Sequence, residues 1–387
     1  MNFAYTEDQT LIAEAVRRRC AKFDDKYWSN CDEQHLFPWD FYSAMAEDGW
    51  LGLAFPEEFG GGNKGILEAA IMMREVAASG GAMNACTAMH LTVFGLQPVI
   101  KYGNERLKKE FLPRAVSGDL HVAFGVTEPN AGTDTSRITT KAVKQADGSW
   151  RISGQKIWTS KALESEVVLI LVRTGEDKEN RFGGLTLFLA DLDPKHVVIR
   201  PIKKLGRNAV ASCETFYEDL PVENWRMVGE EGRGFFHILA GLNAERILLA
   251  ATAIGIGEVA LKKAVEYAGT REVFGKLIGS NQAISHPLAD SHAQLQAAWN
   301  MVMLAAWKCD NGVPCGDEAN TAKYLAADAG FLAADRAMQT FGGLGYATEY
   351  NIERYWRESR VIRIAPVSQE MTLNYIAQNV LGLPKSY

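Results

Sequence analysis

Along the first 120 residues, apolar positions recur at helical spacing. Trp39–Asp48 and Ile66–Ala78 each carry an apolar stripe with a period near 3.6, which predicts helices. Thr6 precedes an acidic first turn, Glu7 and Asp8, so a first helix is expected from there toward Phe23. The stretch Phe55-Pro-Glu-Glu-Phe-Gly-Gly-Gly is expected to be a turn. It lacks the leading strand and the trailing Lys-Ser/Thr of a phosphate loop. At about His121 the pattern changes to short β-rich pieces separated by turn residues: Val122–Val126, Trp150–Trp158, Glu166–Val172, Leu185–Leu189, Val197–Pro201 and Cys213–Tyr217. Asp147-Gly148 is a hairpin-type turn signal. From Gly232 the helical period returns over Phe235–Ala268, Ala283–Asp310 and Asp317–Phe341, lengths that suit a bundle. The expected organisation is a helical domain over 1–120, a small antiparallel β domain over 121–228 and a helical domain over 229–387.

Composition narrows the function classes. The 387 residues are 47% apolar and 23% charged, as in globular proteins that bury a core without a disulfide or metal staple. Net charge is −6 with no basic stripe, which argues against a nucleic-acid partner. The six cysteines, Cys20, Cys31, Cys86, Cys213, Cys309 and Cys315, form neither CxxC nor a zinc spacing. They read as buried free thiols in a reducing, cytoplasmic setting, and no metal site is expected. The N-terminus, Met-Asn-Phe-Ala-Tyr-Thr-Glu-Asp, lacks the basic and apolar regions of a secretory signal. The longest apolar run, near Ile247–Gly257, falls short of the roughly 18–20 residues of a membrane span, so no membrane insertion is expected.

Gly255-Ile256-Gly257-Glu258-Val259-Ala260 matches the G-x-G-x-x-A dinucleotide pattern. That motif needs a preceding strand and an internal tight turn, whereas this one lies within a helical pattern. Its small residues are expected to permit close helix packing.

Candidate chemistry gathers in four places. Val126-Thr127-Glu128-Pro129-Asn130-Ala131-Gly132-Thr133-Asp134 is a polar loop after a strand, with hydroxyls at Thr127 and Thr133 and a permissive Gly132. Gly154-Gln155-Lys156-Ile157-Trp158-Thr159-Ser160 sets a flat indole beside small hydroxyls, suited to stacking on a ring and bonding its edge. Arg271-Glu272-Val273-Phe274-Gly275-Lys276 is followed by Gln282, and Gln339-Thr340-Phe341-Gly342-Gly343-Leu344-Gly345-Tyr346 lies further on. In order and spacing, over nearly the whole chain, these pieces resemble the acyl-CoA dehydrogenase family. Its corresponding motifs are T-E-P-x-A-G-[ST]-D, G-x-K-x-[WF]-[IT]-[TS], R-x-x-F-G and Q-x-x-G-G-x-G-[YF].

The resemblance implies an α+β, mostly α fold: an N-terminal helical domain, a central antiparallel β domain and a C-terminal helical bundle. It implies FAD and an acyl-CoA substrate. Val126 and Thr127 then meet the flavin ring, with Gly132 in the same loop. Trp158 flanks the ring, Ser160 bonds near its N5, and Thr133 sits on the pyrophosphate or CoA side. Arg271, Phe274, Gln282, Gln339, Gly342 and Gly343 hold the ADP half across a subunit boundary. Arginine suits pyrophosphate by its bidentate fork, and glycine by its accessible N–H. Ser368 and Glu370 fall at cofactor-contacting positions, and Leu242, Asn243 and Arg246 line the substrate. The shared cofactor implies a homo-oligomer, in this family usually a tetramer, with an electron-transfer flavoprotein as a further partner.

The family commonly places its catalytic glutamate in a Y-E-G-T loop. Here that loop reads Ala365-Pro366-Val367-Ser368, and Pro366 is no base. Pro366 also lacks the N–H that helps polarise the thioester carbonyl at that position. The isovaleryl-CoA branch instead carries its glutamate in L-x-x-E-R, matched here by Leu242-Asn243-Ala244-Glu245-Arg246. Helical spacing sets Glu245 on a face with Ile238, Leu242, Leu248 and Leu249. A carboxylate on an apolar face is costly unless paired or functional, so Glu245 is the expected α-proton acceptor. The alternative is a salt bridge at the helix rim with Arg246 or another cation. Met83, Cys86, Met89, His90 and Phe94 are expected to line or back the acyl pocket, with His90 a packing or hydrogen-bonded residue. Cys31-Asp32, Phe37-Pro38, Ala306–Gly312 and Ser368–Met371 also resemble crotonobetainyl-CoA reductase, which acts on the same carbons. The expected function is therefore acyl-CoA dehydrogenation. Its alternatives are enoyl-CoA reduction and an oxidase, N-oxygenase or desulfinase on the same fold; a flavoprotein without turnover is the third class.

Overall fold

The computed structural model describes residues 4–177, 179–239 and 241–385. The N-terminal helices are α1 (Glu7–Cys20), α2 (Asp25–Glu33), α3 (Trp39–Glu47), α4 (Ile66–Val76), α5 (Ala82–Val93), α6 (Gln97–Tyr102) and α7 (Glu105–Val116). Thr6 starts α1 with a reciprocal cap: its Oγ1 accepts from Gln9 N at 3.2 Å, and Gln9 Oε1 accepts from Thr6 N at 3.1 Å. The regular turns of α4 end at Val76, two residues short of the expected Ala78. A wider turn over Ala77–Gly81 then reaches Gly80 at φ 100°, which redirects the chain into α5.

Eight strands follow: β1 (Val122–Gly125), β2 (Lys141–Lys144), β3 (Trp150–Ser160), β4 (Val167–Arg173), β5 (Leu185–Asp191), β6 (Val197–Pro201), β7 (Ser212–Val222) and β8 (Met227–Val228). They form one sheet in the order β6-β7-β3-β2-β4-β5-β8, with β1 beside β4. Most pairs are antiparallel, as expected, but β1 runs parallel to β4 from Val122↔Val167 to Gly125↔Ile170. The turn at Asp147-Gly148 joins β2 to β3, with Gly148 at φ 86°. The apolar run of β4 divides by alternation. Val167, Leu169 and Leu171 pack in one core with α7, while Val168, Ile170 and Val172 pack with Trp150 and Phe188 on the other face.

The C-terminal part comprises α8 (Gly234–Leu239), α9 (Leu242–Ala268), the hairpin β9 (Glu272–Val273) and β10 (Lys276–Leu277), α10 (Gln282–Asp310), α11 (Gly316–Phe341), α12 (Ile352–Ile362) and α13 (Gln369–Tyr375). The single helix expected over Phe235–Ala268 is thus two, with Gly241 preceding α9. A glycine here is a poor helix former, and Phe94 packs beside the break, its Cε2 3.4 Å from where a Cβ on Gly241 would lie. Gly255 and Gly257 lie within α9, in the packed interior. A Cβ on Gly255 would stand 2.3 Å from the Arg74 carbonyl oxygen, and one on Gly257 2.9 Å from Gly330 Cα. The glycines bring α9 against α4 and α11. Among the described residues, no helix is long and apolar enough to cross a membrane. Five of the cysteines are buried free thiols and Cys309 is half-buried. The first three residues of the N-terminal stretch lie outside the described residues.

Candidate active site

The structure sorts the sequence-predicted residues into three groups. The first lies at the edge of the β domain. Val126, Thr127, Gly132 and Thr133 stand on the loop after β1, and Trp158 and Ser160 on β3. Two bonds tie loop to strand: Lys156 Nζ donates to Val126 O at 3.0 Å, and Ile157 N to Thr127 O at 2.9 Å. Motifs some 25 residues apart in sequence therefore form one surface. Sequence reasoning missed the residue that holds it. Glu128 is buried and accepts from Lys156 Nζ at 2.8 Å, Thr139 N and Oγ1 at 2.8 Å each, and Thr140 N at 2.9 Å. Burial raises its pKa, but Lys156 and the threonines outweigh burial and hold the carboxyl down at about 2.

Trp158 is 52% exposed at φ 62°, where a bulge between β3 and β7 turns its indole outward. Ser160 Oγ accepts from Arg207 Nη2 at 3.3 Å, and the same guanidinium donates to Ser212 Oγ at 2.5 Å. This edge offers a flat aromatic face, hydroxyls and open backbone, a donor set that fits a flavin ring.

The second group surrounds the start of α9. Glu245 has a side chain 14% exposed, with Oε1 lying 3.8 Å from Nε2 of His90 on α5. Ala244, Ile247, Leu248 and Leu249 around it are buried, and Leu242 packs toward the β-domain core. Ile238 belongs to the separate α8 and does not extend this face by helical register, so the expected apolar stripe is shorter than the spacing indicated. Arg246 does not pair with Glu245 in an ion bridge. Its Nη1 donates to Asn243 Oδ1 at 2.9 Å, and burial pushes its pKa down. Asn243 Nδ2 reaches Cys315 Sγ at 3.6 Å.

The 365–370 loop meets this region through Lys323. That residue is fully buried on α11 and its Nζ donates to Val367 O at 2.6 Å. Burial, with Arg246 nearby, pushes the Lys323 ammonium down to about 8. Pro366 is exposed, Ser368 Oγ caps α13 by accepting from Met371 N at 3.3 Å, and Glu370 is exposed in its first turn. Glu245, unlike the exposed Glu370, is shielded and lies beside α5.

The helix α5 itself is firmly held. Asn84 Nδ2 donates to Glu358 Oε1 at 2.8 Å and to Asp32 Oδ1 at 3.1 Å, and Ala209 N donates to Asn84 Oδ1 at 3.0 Å. Asp32 also accepts from Asn208 N at 2.8 Å and Arg357 Nη2 at 3.0 Å. This buried network joins α2, α5, α12 and the loop before β7. Scattered polar residues from four segments carry no shared sequence signal, so only the folded chain reveals it. Lys161, directly after Ser160, is fully buried and donates to Ala88 O at 3.1 Å.

The third group is exposed at the opposite end of the bundle. Arg271, Phe274, Gln282, Gln339, Gly342 and Gly343 all face solvent. Phe274 is 99% exposed at φ 52°, and Tyr346 is 81% exposed. No Cβ contact would arise within 4 Å at Gly342 or Gly343, so their backbone is open to a ligand. The turns of α9 from Glu245 to Ala268 set this group roughly 35 Å from Glu245, at about 1.5 Å per residue.

Comparison with known proteins identifies the class. The N-terminal, middle and C-terminal domain families of acyl-CoA dehydrogenase match residues 6–119, 123–220 and 232–381. The chain belongs to the acyl-CoA dehydrogenase family, whose members are FAD-dependent oxidoreductases. It is 36% identical to acyl-CoA dehydrogenase FadE12 of Mycobacterium tuberculosis, across 100% of this chain and 99% of that protein. Butyryl-CoA dehydrogenase of Megasphaera elsdenii superposes with a TM-score of 0.93 at 31% identity, covering 98% of this chain and 100% of that one. A glutaryl-coenzyme A dehydrogenase in complex with glutaryl-CoA superposes with a TM-score of 0.93 at 28% identity, covering 100% and 98%.

Proposed function

We propose that this enzyme dehydrogenates an acyl-CoA thioester between its α and β carbons, with Glu245 as the base that takes the α-proton. The observation that carries this reading is the shielded Glu245 carboxylate beside α5, at the start of a helix whose far end bears the exposed Arg271 region. Bound FAD supplies the hydride acceptor. Val126, Thr127, Trp158 and Ser160 orient its ring, while Thr133, Ser368 and Glu370 flank cofactor and thioester. Leu242, Asn243 and Arg246 shape the substrate side, and Glu245 is held among buried apolar residues of α9 within reach of it.

Arg271, Phe274, Gln282, Gln339, Gly342 and Gly343 bind the ADP half of a cofactor seated in a second copy. Within one chain the length of α9 sets them far from Glu245, and this separation supports a homo-oligomer, a tetramer by family habit. A similar solved structure, 30% identical, is named for the electron transferring flavoprotein of Acidaminococcus fermentans. An electron-transfer flavoprotein is accordingly the proposed electron acceptor here. The same proton and hydride movements run in reverse as enoyl-CoA reduction, with direction set by the redox partner.

The test is a panel of acyl-CoAs mixed anaerobically with the holoenzyme. Bleaching of the flavin by at least one member of the panel is expected. No bleaching with any member, together with no flavin oxidation by the matching enoyl-CoAs, would overturn the reading.

A further inference from the structure

We propose that His90 is a positioning residue for Glu245, fixing one carboxylate oxygen so that the other meets the substrate α-proton; this rests on Glu245 being the base. His90 is 8% exposed, and its Nε2 faces Glu245 Oε1 at 3.8 Å across the α5–α9 boundary. The two atoms stand at ion-pair rather than hydrogen-bond distance, and an ionised carboxylate can only accept, so the proposed role requires the proton on the ring nitrogen that faces it. The other nitrogen, Nδ1, is buried with no hydrogen-bond partner, so Glu245 is the polar group to which this imidazole is directed. Phe94 stacks on the ring at 5.3 Å and 29°, which sets its plane.

The two sides of the contact differ in rigidity. His90 rides on α5, held at Asn84 by Asp32 and Glu358 and at the Ala88 carbonyl by Lys161 Nζ. Glu245 sits in the first turn of α9, directly after the break at Gly241, where only Gly241 O receives its backbone N–H. A glutamate has three side-chain torsions, and on a first turn its backbone restrains them little. The fixed imidazole removes that freedom from outside the helix. Misplacing a reacting group by about 1 Å can cost on the order of 10²-fold in rate, so loss of this contact shows in the chemical step rather than in binding.

The test uses the FAD-loaded enzyme and an acyl-CoA that bleaches it. His90→Asn keeps polarity and size near Nδ1 but leaves the Nε2 position empty. His90→Gln carries an amide nitrogen close to Nε2. His90→Asn is expected to slow anaerobic single-turnover flavin reduction by about 10–100-fold, with acyl-CoA Kd and FAD content unchanged. His90→Gln is expected to restore most of the rate. In a Glu245→Gln background, His90→Asn should add no further loss, since the group it positions is already gone. Parent rates in His90→Asn, or an equal loss in both backgrounds, would overturn the positioning role alone. Parent rates in Glu245→Gln would overturn the base assignment and the positioning role with it. An independent readout is the imidazole tautomer, seen by 15N NMR of histidine-labelled protein and assigned by its loss in His90→Asn. An Nε2–H signal that shifts in Glu245→Gln is expected; an Nδ1–H tautomer indifferent to that change contradicts the proposal.

Discussion

Lys156 and Glu128 form a 2.8 Å ion pair in which the side chains are 0% and 4% exposed. The pair joins the strand bearing Trp158 to the loop bearing Thr127, so the surface proposed to face the flavin depends on it. Removing one partner of a buried pair leaves an uncompensated charge, at a cost of about 3–5 kcal/mol. Glu128→Gln should therefore lower the melting temperature and shed FAD during desalting, read as the flavin-to-protein absorbance ratio. Parent flavin content and parent melting temperature would show that the loop is held by other contacts.

His121 gives a prediction about acid. It packs against Phe37, Trp39 and Tyr42, and burial, with Lys161 adding, pushes its pKa from 6.5 down to about 3. The unfolded chain takes up this proton near pH 6.5, while the folded chain resists until about 3. Between those values the unfolded state holds more protons, so stability falls with falling pH by up to about 1.4 kcal/mol per unit from this group. His121→Phe fits an aromatic site and cannot titrate. Melting at pH 7.5 and 5.5 should show a smaller acid-induced drop for the variant than for the parent; equal drops would exonerate His121.

Gly255→Ala tests the packing role of the glycine pair in α9. The new Cβ meets backbone, Arg74 O at 2.3 Å, which cannot swing aside. Overpacking of this kind costs about 1–3 kcal/mol. Lower thermal stability with full FAD content in the folded fraction is expected. Loss of FAD at unchanged stability would mean that the G-x-G-x-x-A match binds nucleotide after all.

Much of this architecture is legible in the sequence because its signals are local. Thr6 and Gln9 cap a helix within four residues, and the apolar run Val167–Val172 divides between two cores as a central strand should. Trp158 and Ser160 stand out because a motif keeps them close together. What stays hidden depends on distant partners. The contact of His90 with Glu245 spans 155 positions, and nothing in either neighbourhood marks the other. Extending helical spacing through Gly241 sets Ile238 on the Glu245 face, but the helix is broken there. The parallel pairing of β1 with β4 is equally a matter of topology, since period-two alternation carries no strand direction.

The proposed assembly is tested at Arg271. Sedimentation of the purified protein should show a dimer or tetramer. Arg271→Ala should weaken FAD retention more than it lowers the melting temperature of the FAD-free protein, because the residue is exposed and makes no core contact. A stable monomer carrying a full complement of FAD would contradict the shared site.

The most direct test of the central claim is the rate of anaerobic flavin reduction in Glu245→Gln. Glutamine keeps the shape of the side chain and removes its basicity. The variant should retain FAD and bind acyl-CoA as the parent does, yet reduce its flavin slower by roughly 10²–10⁴-fold, the share of a general base. Pro366→Glu in that background should recover part of the rate, since it places a carboxylate in the family's commoner position and restores a backbone N–H. Reduction at the parent rate in Glu245→Gln would contradict the account and leave Glu245 a structural residue.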